Sequence, residues 1–148
     1  MRTKRLRLTV QYGVSAHGLP APALLRRWAK AALERDVVLA LRLVGRAEGE
    51  RLNAQYRGKA CATNVLTFVY DDVEPLAGDL VLCVPVVRRE AREQGKTVAD
   101  HCAHLVVHGM LHLQGYDHDR DRTARRMEAR ETALLATLGI DDPYADAH

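Results

Sequence analysis

The sequence predicts an α+β fold, a mixed sheet of about four strands packed with about five helices, and two observations carry that expectation. Strand-like and helix-like segments alternate through the first half, and helical segments then follow one another. The chain has 148 residues, of which 47% are hydrophobic. That is enough for one core and too little for two, so residues 1–148 are expected to form a single domain. The first strand is read from Leu6, Leu8 and Val10, which alternate with Arg5, Arg7, Thr9 and Gln11 as one buried face requires. Pro20 or Pro22 opens a helix through Leu33, with Leu24, Leu25, Trp28, Ala32 and Leu33 inward. Val37 to Val44 reads as the second strand, and Glu48 to Tyr56 as a short helix whose end delivers Arg57 into a Gly-Lys turn. Val65 to Tyr70 and Leu80 to Val84 are β-branched-rich strands separated by the acidic turn Asp71-Asp72-Val-Glu-Pro75.

From Pro85 to Gly95 the pattern is helical again. Thr97 then caps a helix from Val98 to Leu113, with Asp100 at the capping-box position, and this helix turns Cys102, Leu105, Val106 and Leu113 toward the core. A last amphipathic helix, Asp121 to Leu138, sets Met127, Leu134, Leu135 and Leu138 inward and Arg122, Arg125, Arg126 and Arg130 outward.

The chemistry is concentrated in the helix that Thr97 caps. Five of the seven histidines lie between His101 and His118, and three stand in the order His108-x-x-x-His112-x-x-Gly115-x-x-His118. A helix turns once in roughly 3.6 residues, so His108 and His112 project from one face a turn apart. Gly115 reaches positive φ at little cost, ends the helix and swings His118 back as a third ligand. Three imidazoles suit zinc and leave one tetrahedral position for water, which favours a catalytic ion over a structural one. His101 and His104 are expected to support the site or lie on the surface, because ligands at 104, 108 and 112 would string along one straight helix over about 12 Å. The same spacing occurs in zinc proteases, where a glutamate general base follows the first histidine. Here that position is Gly109, so the ligands of a metal hydrolase are present without the residue that defines peptide hydrolysis.

Charge is unevenly distributed. The formal net charge is +3, but residues 1–60 carry 13 Lys and Arg against 4 Asp and Glu, while residues 61–148 carry 9 against 15. A basic half beside a metal-bearing half suits a phosphate backbone. Equally, Arg26, Arg27, Lys30 and Arg35 suit the solvated outer face of a helix. No apolar run approaches the roughly 20 residues of a bilayer span, and the amino terminus has no signal-peptide core. Cys61, Cys83 and Cys102 include no Cys-x-x-Cys pair. A cytoplasmic protein without a membrane partner is expected.

The run His108-Gly-Met-Leu-His-Leu-Gln-Gly-Tyr-Asp-His118 resembles the signature of the YbeY family of bacterial metallo-endoribonucleases. Asn53-Ala-Gln-Tyr-Arg57-Gly-Lys59, Thr63-Asn-Val-Leu-Thr-Phe68 and Gly78-Asp-Leu-Val-Leu82 resemble three further elements of that family, so the likeness spans about residues 35 to 144 by motif order. Two departures stand out: Asn64 replaces the usual aspartate and Thr67 the usual serine. The resemblance implies a single-strand-specific endoribonuclease that needs one Zn2+. It implies action in ribosomal RNA maturation, including 3′-end processing of 16S rRNA, and in ribosome quality control, with the small subunit and ribosome-associated proteins as partners. It further implies that Arg57 faces the scissile phosphate, with Lys59 as a second RNA contact, whereas a salt bridge from Arg57 to a turn aspartate is the structural alternative. Asn64 and Asp117 are candidates for supporting the ligands, and Asp117 is as well suited to cap the last helix. Two other functions fit the residues: a metal-dependent hydrolase of peptides or small molecules, and a non-enzymatic ribosome-binding factor with a structural metal.

Overall fold

The structure, a computed structural model, describes residues 3–57, 63–71, 74–117 and 120–144. Cys61, Lys59 and His118 lie outside the described residues. Its elements run β1 (Leu6–Tyr12), α1 (Pro22–Ala31), β2 (Val37–Val44), α2 (Arg46–Arg57), β3 (Val65–Asp71), β4 (Leu76–Cys83), α3 (Val84–Glu93), α4 (Val98–Leu113) and α5 (Asp121–Thr137). The four strands form one sheet in the order β1-β2-β4-β3. β1 and β4 each pair parallel with β2, and β3 pairs antiparallel with β4, so the sheet is mixed as expected. β4 begins at Leu76, four residues before the expected Leu80. Gly78 and Asp79 disfavour a strand locally, but β2 pairs with β4 from Val37↔Leu76 to Val44↔Cys83 and supplies the ladder that propensity does not.

Alternation along the strands divides the apolar residues between two faces. Leu39, Leu41 and Leu43 of β2 and Leu76, Leu80 and Leu82 of β4 enter the main core with Leu25 and Trp28 of α1 and Met110 and Leu111 of α4. Val81 and Leu66 face the opposite side, where Leu52 of α2 covers a smaller cluster. The helix α4 packs against the sheet and against α1, α3 and α5. Because neighbours surround it, α4 is buried on nearly every side from His101 to Leu113. Its start has the expected Thr97 cap, which accepts a hydrogen bond from the Asp100 backbone N–H at 3.0 Å, without the return bond from the Asp100 side chain that would complete a capping box.

Two glycines set how closely α4 lies on the sheet. A Cβ at Gly109 would fall 2.6 Å from Leu80 Cδ2. A Cβ at Gly78 would fall 2.4 Å from the Phe68 carbonyl oxygen and 2.5 Å from Leu113 Cδ1. Gly109 thus explains the missing glutamate of the protease pattern: position 109 faces the sheet, and a glutamate there would be forced into the helix–sheet contact.

Candidate metal centre

Along α4, His104, His108 and His112 occupy i, i+4 and i+8 and form a line that opens progressively to solvent. The His104 side chain is 14% exposed and that of His108 23%, and His112 is exposed. At the closed end lies Glu131 of α5, fully buried. Its Oε1 is 2.6 Å from His108 Nδ1, and its Oε2 is 3.1 Å from His104 Nε2. Tyr144 donates to the same Oε2 at 2.5 Å. Burial by itself would push the Glu131 carboxyl up; the hydrogen bonds from His104 and His108, the charge of His108 and the Tyr144 hydroxyl outweigh it and hold the group at about 2. Burial, reinforced by the bond to Glu131, pushes the Tyr144 hydroxyl well above its ordinary value and keeps it a donor. Among the described residues, His104, His108 and Glu131 are the one group of three whose ligand atoms all lie within 4.8 Å of one another.

The turn after α4 has the geometry its glycine predicts. Gly115 has φ +111°. Its N–H bonds the His112 carbonyl at 3.1 Å, and the Tyr116 N–H bonds the Leu111 carbonyl at 3.0 Å, the paired contacts of a Schellman end. Gln114 ties this end to the loop after α1, accepting from Glu34 N–H at 2.6 Å and donating to the Ala32 and Met110 carbonyls at 2.8 and 2.9 Å. Tyr116 donates to Glu34 at 3.1 Å, and the Arg126 guanidinium sits 5.5 Å from the centre of its ring. The backbone leading toward residue 118 is therefore anchored on both sides. An open cavity of about 320 Å³ lies there, lined in part by Gly115, Tyr116, Asp117 and Arg126.

The remaining expected residues fall in different places. Asp117 is exposed on that loop. Arg57 is the last residue of α2. Asn64 is joined to α3, not to His108: its Nδ2 donates to Glu90 Oε1 at 3.0 Å while its Oδ1 accepts from the Val65 N–H at 2.7 Å. An amide suits this place, since an aspartate would set two carboxylates against each other. Several cations of the basic half are paired, Arg35 with Glu74, Arg42 with Glu48 and Arg46 with Glu50. The outer-face residues Arg26, Arg27 and Lys30 are exposed.

His101, read from sequence as supporting or surface, is buried, with Nε2 2.9 Å from Glu90 Oε1. Burial is the main force pushing its imidazole below the ordinary 6.5; the bond to Glu90 opposes this, and Lys96 and His104 add to it. Because the folded value is depressed, the unfolded chain takes up this proton first. The His101 contribution to stability is therefore complete above pH 6.5 and is lost as the pH falls through the folded value. Replacing His101 with Gln keeps a donor for Glu90 and removes the titration. Its melting temperature is expected to fall less than that of the unsubstituted protein between about pH 7 and pH 5, and equal falls would contradict the assignment.

Glu131 and Tyr144 escaped the sequence reading. The signal for Glu131 was present: it sits at i+4 from Met127 in the inward stripe that continues to Leu134 and Leu135, where a charge must be partnered.

A line of histidines on the central helix of a mixed α+β layer, backed by a buried carboxylate, makes a candidate metal site. A family profile described as Endoribonuclease YbeY matches residues 21–139. The chain is 62% identical over 146 residues to Endoribonuclease YbeY of Aromatoleum aromaticum, covering 97% of this chain and 95% of that protein. It is 53% identical over 145 residues to Endoribonuclease YbeY of Nitrosomonas europaea, covering 98% and 88%. The solution structure of TM1509 from Thermotoga maritima shares the fold, with a TM-score of 0.57 and 26% identity over 90% of this chain and 91% of that one. The chain belongs to the YbeY family of endoribonucleases. No helix among the described residues is long and apolar enough to cross a membrane.

Proposed function

We propose that this chain is a single-strand-specific, metal-dependent endoribonuclease acting in ribosomal RNA maturation, including 3′-end processing of 16S rRNA, and in ribosome quality control. One Zn2+ would be held by His108, His112 and His118 in a single domain spanning residues 1–148, working in the cytoplasm with the small ribosomal subunit and its associated proteins. The observation that carries this reading is the 2.6 Å contact between Glu131 and His108 Nδ1. Ligating histidines are commonly held through their second ring nitrogen in this way, so the donor set fits a divalent ion.

Once bound, the ion supplies an acidified water or a polarised phosphoryl oxygen. Arg57 binds two oxygens of the scissile phosphate and stabilises the charge that develops there. Lys59 holds the neighbouring backbone, and both cations make binding weaken as salt rises. Asp117 and Asn64 remain candidates for supporting the ligands, Asn64 only through Glu90 and His101.

Two experiments test the proposal. Zinc-loaded protein is expected to cut single-stranded RNA and leave duplex RNA and denatured casein whole; degraded casein beside intact RNA would point to a peptide hydrolase. Arg57→Ala is expected to slow cleavage by about a hundredfold or more while zinc content stays unchanged. Full cellular function of a folded Arg57→Ala protein would instead favour a ribosome-binding factor.

A further inference from the structure

We propose that Glu131 is the positioning residue of this centre, fixing His108 with its Nδ1 proton held and its Nε2 lone pair presented to the ion, and that Tyr144 and His104 in turn hold Glu131. The inference rests on the reading of His108 as a ligand.

The two carboxylate oxygens have separate duties. Oε1 serves His108 at 2.6 Å, and Oε2 serves Tyr144 at 2.5 Å and His104 at 3.1 Å. Facing a carboxylate this closely, His108 Nδ1 must carry the proton, so the ring presents Nε2 as its lone pair. An alternative in which His104, His108 and Glu131 themselves surround an ion would require the His108–Glu131 pair to part and lose its proton. Two ligand atoms at bond lengths of about 2.0–2.1 Å in a tetrahedron lie about 3.3 Å apart. The 2.6 Å separation of His108 Nδ1 and Glu131 Oε1 is a hydrogen bond, and the proton in it occupies the place an ion would need.

Exposure points the same way, because the histidine line opens from His104 toward His112 and Glu131 closes its inner end. Tyr144 is brought to that end by the chain after α5. Asp142 Oδ1 accepts from both Thr132 Oγ1 at 3.1 Å and the Tyr144 N–H at 2.8 Å, folding the segment back over the helix. The carboxylate thus has donors committed to both of its oxygens, and the imidazole it holds has one orientation.

The test is zinc affinity by competition with a chromogenic chelator, with the absorption spectrum of the cobalt-substituted protein as a second readout. Glu131→Gln is expected to weaken zinc binding by about 10- to 100-fold and to alter the cobalt spectrum, with folding checked by circular dichroism. Tyr144→Phe, which removes a hydroxyl that meets Glu131 Oε2 and His104 Nε2 but not Oε1, is expected to weaken it several-fold and keeps the proposal testable should Glu131→Gln not fold. His104→Ala, which also removes a donor to Oε2, is expected to weaken zinc binding no more than several-fold. Zinc affinity within about twofold of the unsubstituted protein in both Glu131→Gln and Tyr144→Phe would overturn this inference alone. Loss of binding in His104→Ala with full binding in His112→Ala would overturn it in favour of direct ligation by Glu131. Failure of the unsubstituted protein to take up zinc would overturn the ligand reading itself, and this inference with it.

Discussion

His108→Ala is expected to abolish zinc binding and to lower RNA cleavage by about a thousandfold or more. The size follows from position. His108 combines its expected ligand role with a 2.6 Å contact to Oε1 of the buried Glu131, so its removal deletes an imidazole and leaves a carboxylate in the interior short of a donor. A hydrogen bond to a charged group contributes about 1.5–3 kcal/mol, so a lower melting temperature is expected even in metal-free protein. His112 is exposed, and His112→Ala is expected to lose zinc with little loss of metal-free stability. Elemental analysis, a cleavage assay and thermal unfolding on the two variants separate these effects. Full zinc content in His108→Ala would contradict the assignment.

Gly78→Ala is expected to cost about 3 kcal/mol of stability, at the upper end of overpacking effects. The added Cβ would meet the Phe68 carbonyl oxygen at 2.4 Å and Leu113 Cδ1 at 2.5 Å. Leu113 can turn aside, but the carbonyl belongs to the backbone of the paired strand and cannot move without straining the β3–β4 ladder. For a chain of this length the melting temperature should fall by roughly 6–12 °C. Gly109→Ala meets only the branched end of Leu80 and should cost less. The opposite ranking, measured by thermal or urea unfolding, would contradict this account of how α4 seats on the sheet.

The parts of the fold that depend on local periodicity were legible. Thr97 and Gly115 announced both ends of α4, and Val37–Val44 stood out as a strand from its apolar run alone. The start of β4 was not legible, because Leu76-Ala-Gly-Asp79 is held extended by its pairing with β2 on one side and β3 on the other, and β2 is a partner distant in sequence. The histidine spacing pointed to the site but not to what supports it. Glu131 falls in the inward stripe of its helix, but the partners that explain its burial, His104 and His108 27 and 23 residues earlier and Tyr144 after the helix, are set by tertiary packing. His101 likewise looked like part of the histidine stripe, but its partner Glu90 lies on another helix.

The central claim is that His108, His112 and His118 together hold the ion that cleaves RNA. It is tested most directly by measuring zinc content and single-stranded RNA cleavage on the same preparations of the unsubstituted protein and of His118→Ala. The account predicts about one equivalent of zinc and active cleavage in the first, and loss of both in the second with the fold retained. Zinc at full occupancy and undiminished cleavage in His118→Ala would contradict it.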